Sequence, residues 1–143
     1  VAGSASAKNQ KYMRSLGTEK TVDYSAPDWQ AEVWDWAGEG VDAALAIQPN
    51  TGNGSIKVTR DGGRVITISG YGDTFAVERG VSAAQMTHMH DSRQMIEQLL
   101  SAITKGSIQT MIEAEYPFSQ ALGALEKTET RHARGKLVVN MLD

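Results

Sequence analysis

The sequence predicts an α/β fold with a mainly parallel sheet and flanking helices. Three observations lead there. Short runs rich in β-branched and apolar residues alternate with segments of helical periodicity along the 143 residues. One run, Val41 to Ile47, is nearly continuously apolar, the pattern of a strand covered on both faces. Glycines stand where the helical segments stop, at Gly17, Gly38 and Gly106.

Taken in order, Val1 to Ser6 reads as a strand of small residues. Asn9 is placed to cap a helix presenting Tyr12, Met13 and Leu16 on one side. Thr21 to Tyr24 is a short strand. Pro27 suits the first turn of the next helix, and Asp28 favours its positive end. Trp29, Val33 and Trp36 recur at i, i+4, i+7, so they share one face and are expected in the core, with Trp34 pointing elsewhere. Gly38 and Gly40 end that helix, and the Val41 to Ile47 strand follows. A short helix is expected over Ser55 to Thr59, and Asp61-Gly62-Gly63 signals a turn. Arg64 to Ser69 is the next strand, Gly70 to Asp73 a loop, and Val81 to His90 a further strand. Ser92 is placed to cap the most amphipathic helix, whose face carries Met95, Ile96, Leu99 and Ile103. Met111 to Phe118 is a strand, Ser119 caps a helix bearing Leu122 and Leu125, and Gly135 to Val139 is the last strand.

Composition excludes several classes. A hydrophobic content of 41% supports a core and argues against wholesale disorder. A net charge of −3, with no dense basic run, argues against a nucleic-acid partner. No stretch approaches the ~18 uninterrupted apolar residues of a membrane helix. The absence of cysteine excludes disulfides and cysteine-ligated zinc, and fits a cytoplasmic protein. No Ser stands in a Gly-x-Ser-x-Gly turn. His88, His90 and Asp91 are close enough in sequence to imitate a metal site, but two imidazoles without a third convergent ligand do not make one. The neighbours of His132, Arg131 and Arg134, discourage a cation there.

The informative segment is Ser6-Ala7-Lys8-Asn9, followed by Arg14-Ser15-Leu16-Gly17 and then Asp23-Tyr24. In a dinucleotide-binding fold the end of the second strand faces the adenosine ribose, where an Asp or Glu holds the 2′-hydroxyl of NAD. This chain has Ser6, Lys8 and Asn9 there instead. A cation and neutral donors suit a 2′-phosphate, which a carboxylate would repel. Tyr24 can donate its hydroxyl to the same group. The plainer alternatives are that Lys8 and Asn9 form a solvated helix start and Tyr24 a strand-end surface residue.

The segment Ser6 to Tyr24 resembles the cofactor-specificity region of NADP-dependent quinone oxidoreductases and trans-acting enoyl reductases, in the medium-chain dehydrogenase/reductase superfamily that includes the zinc-binding dehydrogenases. Val41-Asp42-Ala43-Ala44-Leu45, Asp61-Gly62-Gly63-Arg64-Val65-Ile66 and His132-Ala133-Arg134-Gly135-Lys136-Leu137-Val138-Val139 are similar to the same family, in the same order. The resemblance implies a truncated Rossmann-like domain over residues 1–106. It implies a segment over residues 107–143 that returns to a substrate domain and contains Lys136. It implies NADP (NADPH) as cofactor, with Ser6, Lys8, Asn9 and Tyr24 on the adenosine 2′-phosphate and Ser69 and Gly70 near the nicotinamide half. It further implies hydride transfer to a small-molecule quinone or enone.

The departures from the family are equally informative. Its first strand and Gly-rich turn would precede Val1, as would its substrate domain, so the chain reads as a carboxyl-terminal fragment. Ala46 stands where many relatives carry an acid, and Gln48-Pro49 replaces a small-residue turn. In the family strand order 3-2-1-4-5-6, loss of the first strand opens a gap between strands 2 and 4. Unpaired edges invite association, so a homo-oligomer or a rearranged sheet is expected. Two further readings stand beside the reductase: a non-catalytic module acting through association, and a piece of a zinc-dependent alcohol dehydrogenase.

Overall fold

The computed structural model describes residues 1–68, 75, 77–86 and 92–142. The chain divides into two compact units, Val1–His88 and Met89–Asp143.

In the first unit, Ala2–Ser4 forms β1 and pairs in parallel with β2, Lys20–Val22. The run is made of small residues because a helix lies directly on it. A Cβ on Gly3 would collide with the end of the Met13 side chain in that helix, α1, Gln10–Ser15. A 3-10 turn over Ala7–Asn9 precedes α1. The Asn9 side chain makes no cap bond, contrary to expectation, because its Nδ2 turns back to Ser6 Oγ at 3.4 Å. Strand β2 stops at Val22, so Tyr24 falls in the turn beyond it.

Helix α2, Trp29–Ala37, ends at Gly38, whose φ of 85° is a conformation that glycine adopts without strain. Its inward face differs from the expected one. Val33 is buried and Trp29 packs against it, but Trp36 is 42% exposed. Trp34 is the half-buried one of that pair, lying under the Arg79 guanidinium at 5.0 Å from the ring centroid. Gly40 makes room for it: a Cβ there would meet the Trp34 ring at 2.7 Å and the Val58 carbonyl at 2.9 Å.

Strand β3, Val41–Ala46, leads to α3, Gly52–Val58, and then to β4, Thr59–Thr67. The helix starts earlier than Ser55. Gly52 is buried where any side chain would meet the Phe75 ring at 2.6 Å. The expected Asp61-Gly62-Gly63 turn survives as an irregularity inside β4. Val41 pairs with Thr59 but Ala43 pairs with Arg64, so the intervening residues loop out of register. Strand β5, Ser82–Gln85, pairs in parallel with β4. The rest of the expected strand to His90 includes residues outside the described set.

The described strands of this unit make two sheets, β1-β2 and β3-β4-β5, not one. Among the described residues no backbone pairing joins β1 or β2 to β3, β4 or β5. One apolar cluster, Val22, Val33 and Val58 with Ala2, Trp29 and Val41, spans the break. A second, Ile56, Val65 and Val81 with Ala44, Phe75 and Ala83, packs α3 on the three-stranded sheet. Full burial of a Val or Ile contributes about 1.5–3 kcal/mol, so side chains hold the two sheets in one unit where backbone pairing does not.

The second unit contains α4, Arg93–Thr104, then β6, Ile112–Pro117, α5, Ala121–Glu129, and β7, Lys136–Asn140. Strands β6 and β7 are parallel, with α5 as the crossover. Gly135, at φ 107°, lies against the Met111 carbonyl, where a Cβ cannot fit. Lys127 reaches Glu113 at 3.0 Å and ties α5 to β6. Neither Ser92 nor Ser119 caps a helix through its side chain: Ser92 makes no cap bond, and Ser119 lies in a 3-10 turn that precedes α5. The expected apolar faces are largely uncovered. No residue of α4 is buried, and on α5 Ala124 is buried while Leu122 and Leu125 are exposed.

Candidate functional site

The carboxyl ends of parallel strands are where open α/β sheets receive ligands. At the ends of β1 and β2 the chain brings together most of the residues expected to hold a 2′-phosphate. Ser6 and Asn9 are half-buried, and Lys8 is exposed on the 3-10 turn. Asn9 N–H donates to the Ser6 carbonyl at 2.9 Å, and Asn9 Nδ2 to Ser6 Oγ. With its oxygen accepting, the Ser6 hydroxyl can turn its proton outward. Asn9 Oδ1 is buried without a partner among the described residues. The Asn9 amide therefore acts on Ser6, and the Lys8 ammonium is exposed beside it in sequence. Tyr24 is 54% exposed, just past β2.

Sequence reasoning named Asp23 without giving it a role and passed over Gln10. The Asp23 carboxylate accepts the Ser25 N–H at 2.8 Å. Its pKa is lowered, first by that backbone N–H, then by the Ser25 side chain, with desolvation opposing and the Ala7 N–H adding to the lowering. An ionised carboxylate thus borders the loop of Ser6 and Lys8. Gln10 Nε2 donates to the Ala5 and Val22 carbonyls, both at 2.8 Å.

At the far end of β4, Thr67 is fully buried and its Oγ1 has no partner among the described residues. Ser69 and Gly70, expected near the nicotinamide, lie outside the described residues, as do His88, His90 and Asp91. Lys136 opens β7 in the second unit and is exposed. His132 is also exposed, and its Nδ1 lies against the Thr130 carbonyl.

Residues 16–139 match the zinc-binding dehydrogenase family, most of the chain. The chain belongs to that family. It is 25% identical over 154 residues to a chloroplast envelope quinone oxidoreductase homolog of Arabidopsis thaliana, covering 97% of this chain and 44% of that protein. It is 29% identical over 147 residues to a chloroplastic NADPH-dependent alkenal/one oxidoreductase of the same plant, covering 97% of this chain and 33% of that one. Among solved structures, an NAD-dependent alcohol dehydrogenase superposes with a TM-score of 0.83 at 23% identity, covering 99% of this chain and 43% of that chain. The quinone oxidoreductase of Coxiella burnetii gives 0.81 at 21%, covering 97% and 44%. These superpositions establish the Rossmann-like cofactor-domain architecture. The chain spans less than half the length of these relatives.

The family's name implies zinc, and the donor set does not fit it. There is no cysteine, and no three His, Asp or Glu side chains converge among the described residues. No helix among the described residues is long and apolar enough to cross a membrane.

Proposed function

We propose that this chain forms part of an NADPH-dependent reductase of the quinone or enone type and supplies its adenosine 2′-phosphate site. The observation that carries the reading is the loop after β1. Ser6 and Lys8 present a hydroxyl and an ammonium at the strand end where an NAD-selective site needs a carboxylate. Asn9 orients Ser6, and Tyr24 adds a hydroxyl from the neighbouring strand end. Ser69 and Gly70, after β4, are assigned to the nicotinamide half by their place in the sequence. Bound NADPH would supply a hydride to an electron-poor double bond or a quinone. The names of the plant quinone oxidoreductase homolog and alkenal/one oxidoreductase support that substrate class.

The test is cofactor consumption by the protein at its full natural length, with a quinone or an enone as acceptor. NADPH is expected to be used in preference to NADH. Lys8→Glu should cut that preference about tenfold or more, since a charge-assisted hydrogen bond contributes about 1.5–3 kcal/mol. Equal use of both cofactors by the unaltered protein would remove the reading.

The broken sheet supports a second reading, a module that acts by association. Both β1 and β3 have one unpaired edge among the described strands. On this reading the protein is a homo-oligomer. The cytoplasm is the proposed compartment, supported by the absence of cysteine. Relatives named for the chloroplast envelope and the mitochondrion make fractionation of the tagged protein the direct check.

A further inference from the structure

The two hydrogen bonds of Gln10 join parts of the chain that sequence keeps apart. Ala5 lies just past β1, and Val22 is the last residue of β2. The Ala5 N–H already donates to the Val22 carbonyl at 3.1 Å, extending the pairing beyond the strand. The Gln10 amide nitrogen then donates one N–H to the Ala5 carbonyl and the other to the Val22 carbonyl, each at 2.8 Å. A primary amide is the neutral side-chain group that offers two N–H bonds from one atom. The bridge is half-buried, so water does not readily replace it.

Its position matters more than its strength. The Ala5 carbonyl immediately precedes Ser6, and the Val22 carbonyl immediately precedes Asp23 and Tyr24. The amide therefore fixes the spacing between the loop that carries Ser6 and Lys8 and the strand end that carries Asp23 and Tyr24. That spacing sets how near each of two opposing charges comes to a bound phosphate. Lys8 attracts a phosphate and ionised Asp23 repels it, and each effect scales inversely with distance. A small relative slip of the two strand ends would bring the carboxylate toward the ligand or take the Tyr24 hydroxyl away.

We infer that Gln10 is a positioning residue for cofactor selection: it holds the ends of β1 and β2 in the one register at which the site favours a 2′-phosphorylated adenosine. The inference rests on the 2′-phosphate reading above. It assigns Gln10 no contact with the ligand.

The experiment is calorimetric titration of the full-length protein with adenosine 2′,5′-bisphosphate and with 5′-AMP, which differ by the 2′-phosphate alone. Gln10→Met keeps the length of the side chain and removes both donors. It should lower the preference for the bisphosphate about tenfold, the equivalent of about 1.4 kcal/mol, while 5′-AMP affinity holds. Gln10→Asn keeps the amide but cannot span both carbonyls, and should give an intermediate preference; it serves if the Met variant does not fold. An unaltered protein with no preference between the probes refutes the 2′-phosphate reading, and the inference with it. An unaltered protein with a preference that survives in both variants refutes the role of Gln10 alone. Equal weakening of both probes would reduce Gln10 to a general structural contact and also overturn the inference.

Discussion

Asp23 shows how a single residue constrains the site. Its carboxyl is held below the ordinary aspartate value of 3.8, chiefly by the Ser25 backbone N–H. A depressed folded pKa means that the unfolded chain takes up the proton first. The stabilisation is therefore complete above the unfolded value and is lost as pH falls through the folded one. Melting temperatures followed from about pH 6 to about pH 3 should fall less steeply for Asp23→Asn than for the unaltered protein. Parallel curves would show that the Ser25 contact does not bias the titration. Ser6, Lys8, Asn9 and Tyr24 were all legible as candidates, because a hydroxyl, a cation and an amide at a strand end have recognisable chemistry. The role of Asn9 was not, since only coordinates show its amide turned onto Ser6. Gln10 was illegible for a different reason. Its partners are two backbone carbonyls, and backbone carries no sequence signal.

At the scale of elements, Arg79 links more of the fold than any nearby charge pattern indicates. Its guanidinium donates to the Ile56 carbonyl at 2.8 Å and the Thr59 carbonyl at 3.0 Å, and stacks over Trp34. It thereby closes the end of α3, the start of β4 and the flank of α2 with one side chain. Its ion pair with Asp61, at 3.1 Å, contributes less because that carboxylate is largely exposed. Arg79→Ala should destabilise the protein by about 1–3 kcal/mol by leaving the carbonyls short of donors. Arg79→Lys should recover only part of this, since an ammonium cannot reproduce the planar fork. Denaturant unfolding checks both, and a neutral Arg79→Ala would show that water replaces the guanidinium at no cost. The same side chain explains why Trp34 rather than Trp36 turns inward. Periodicity put Trp36 with Val33, but the chain beyond Gly38 supplies a guanidinium and a glycine-lined recess on the Trp34 side.

At the scale of the whole chain, the described residues leave much apolar surface exposed. Met95, Ile96, Leu99 and Leu100 on α4 are all more than 40% exposed, and β1 and β3 each have an unpaired edge among the described strands. Exposed apolar helix faces and unpaired strand edges each mark contact regions. The 143-residue chain should associate in a concentration-dependent way in sedimentation experiments. Replacing Ile96 and Leu99 by Glu should weaken association while changing stability by no more than about 0.5 kcal/mol per site, as expected for exposed positions. Association that persists in that variant assigns it to the sheet edges. A monomer at all concentrations would contradict the expectation altogether.

By itself the sequence determined the α/β class, the parallel order of strands, most element positions and the family, because each is written in local periodicity or in contiguous motifs. Val41 to Ile47 announced a strand but not its surroundings: the cover expected on both faces is not there, since Ala46 is the one buried residue of β3 and Leu45 is 54% exposed; the run from Gly135 announced the last strand. Tertiary structure alone decided which apolar faces find a cover, where the sheet breaks, and how the two strand ends of the site are held together. The reason is that a stripe of apolar residues specifies a face but not its partner. A hydrogen bond from Gln10 to the carbonyls of Ala5 and Val22 exists only once the chain has brought β1 and β2 side by side.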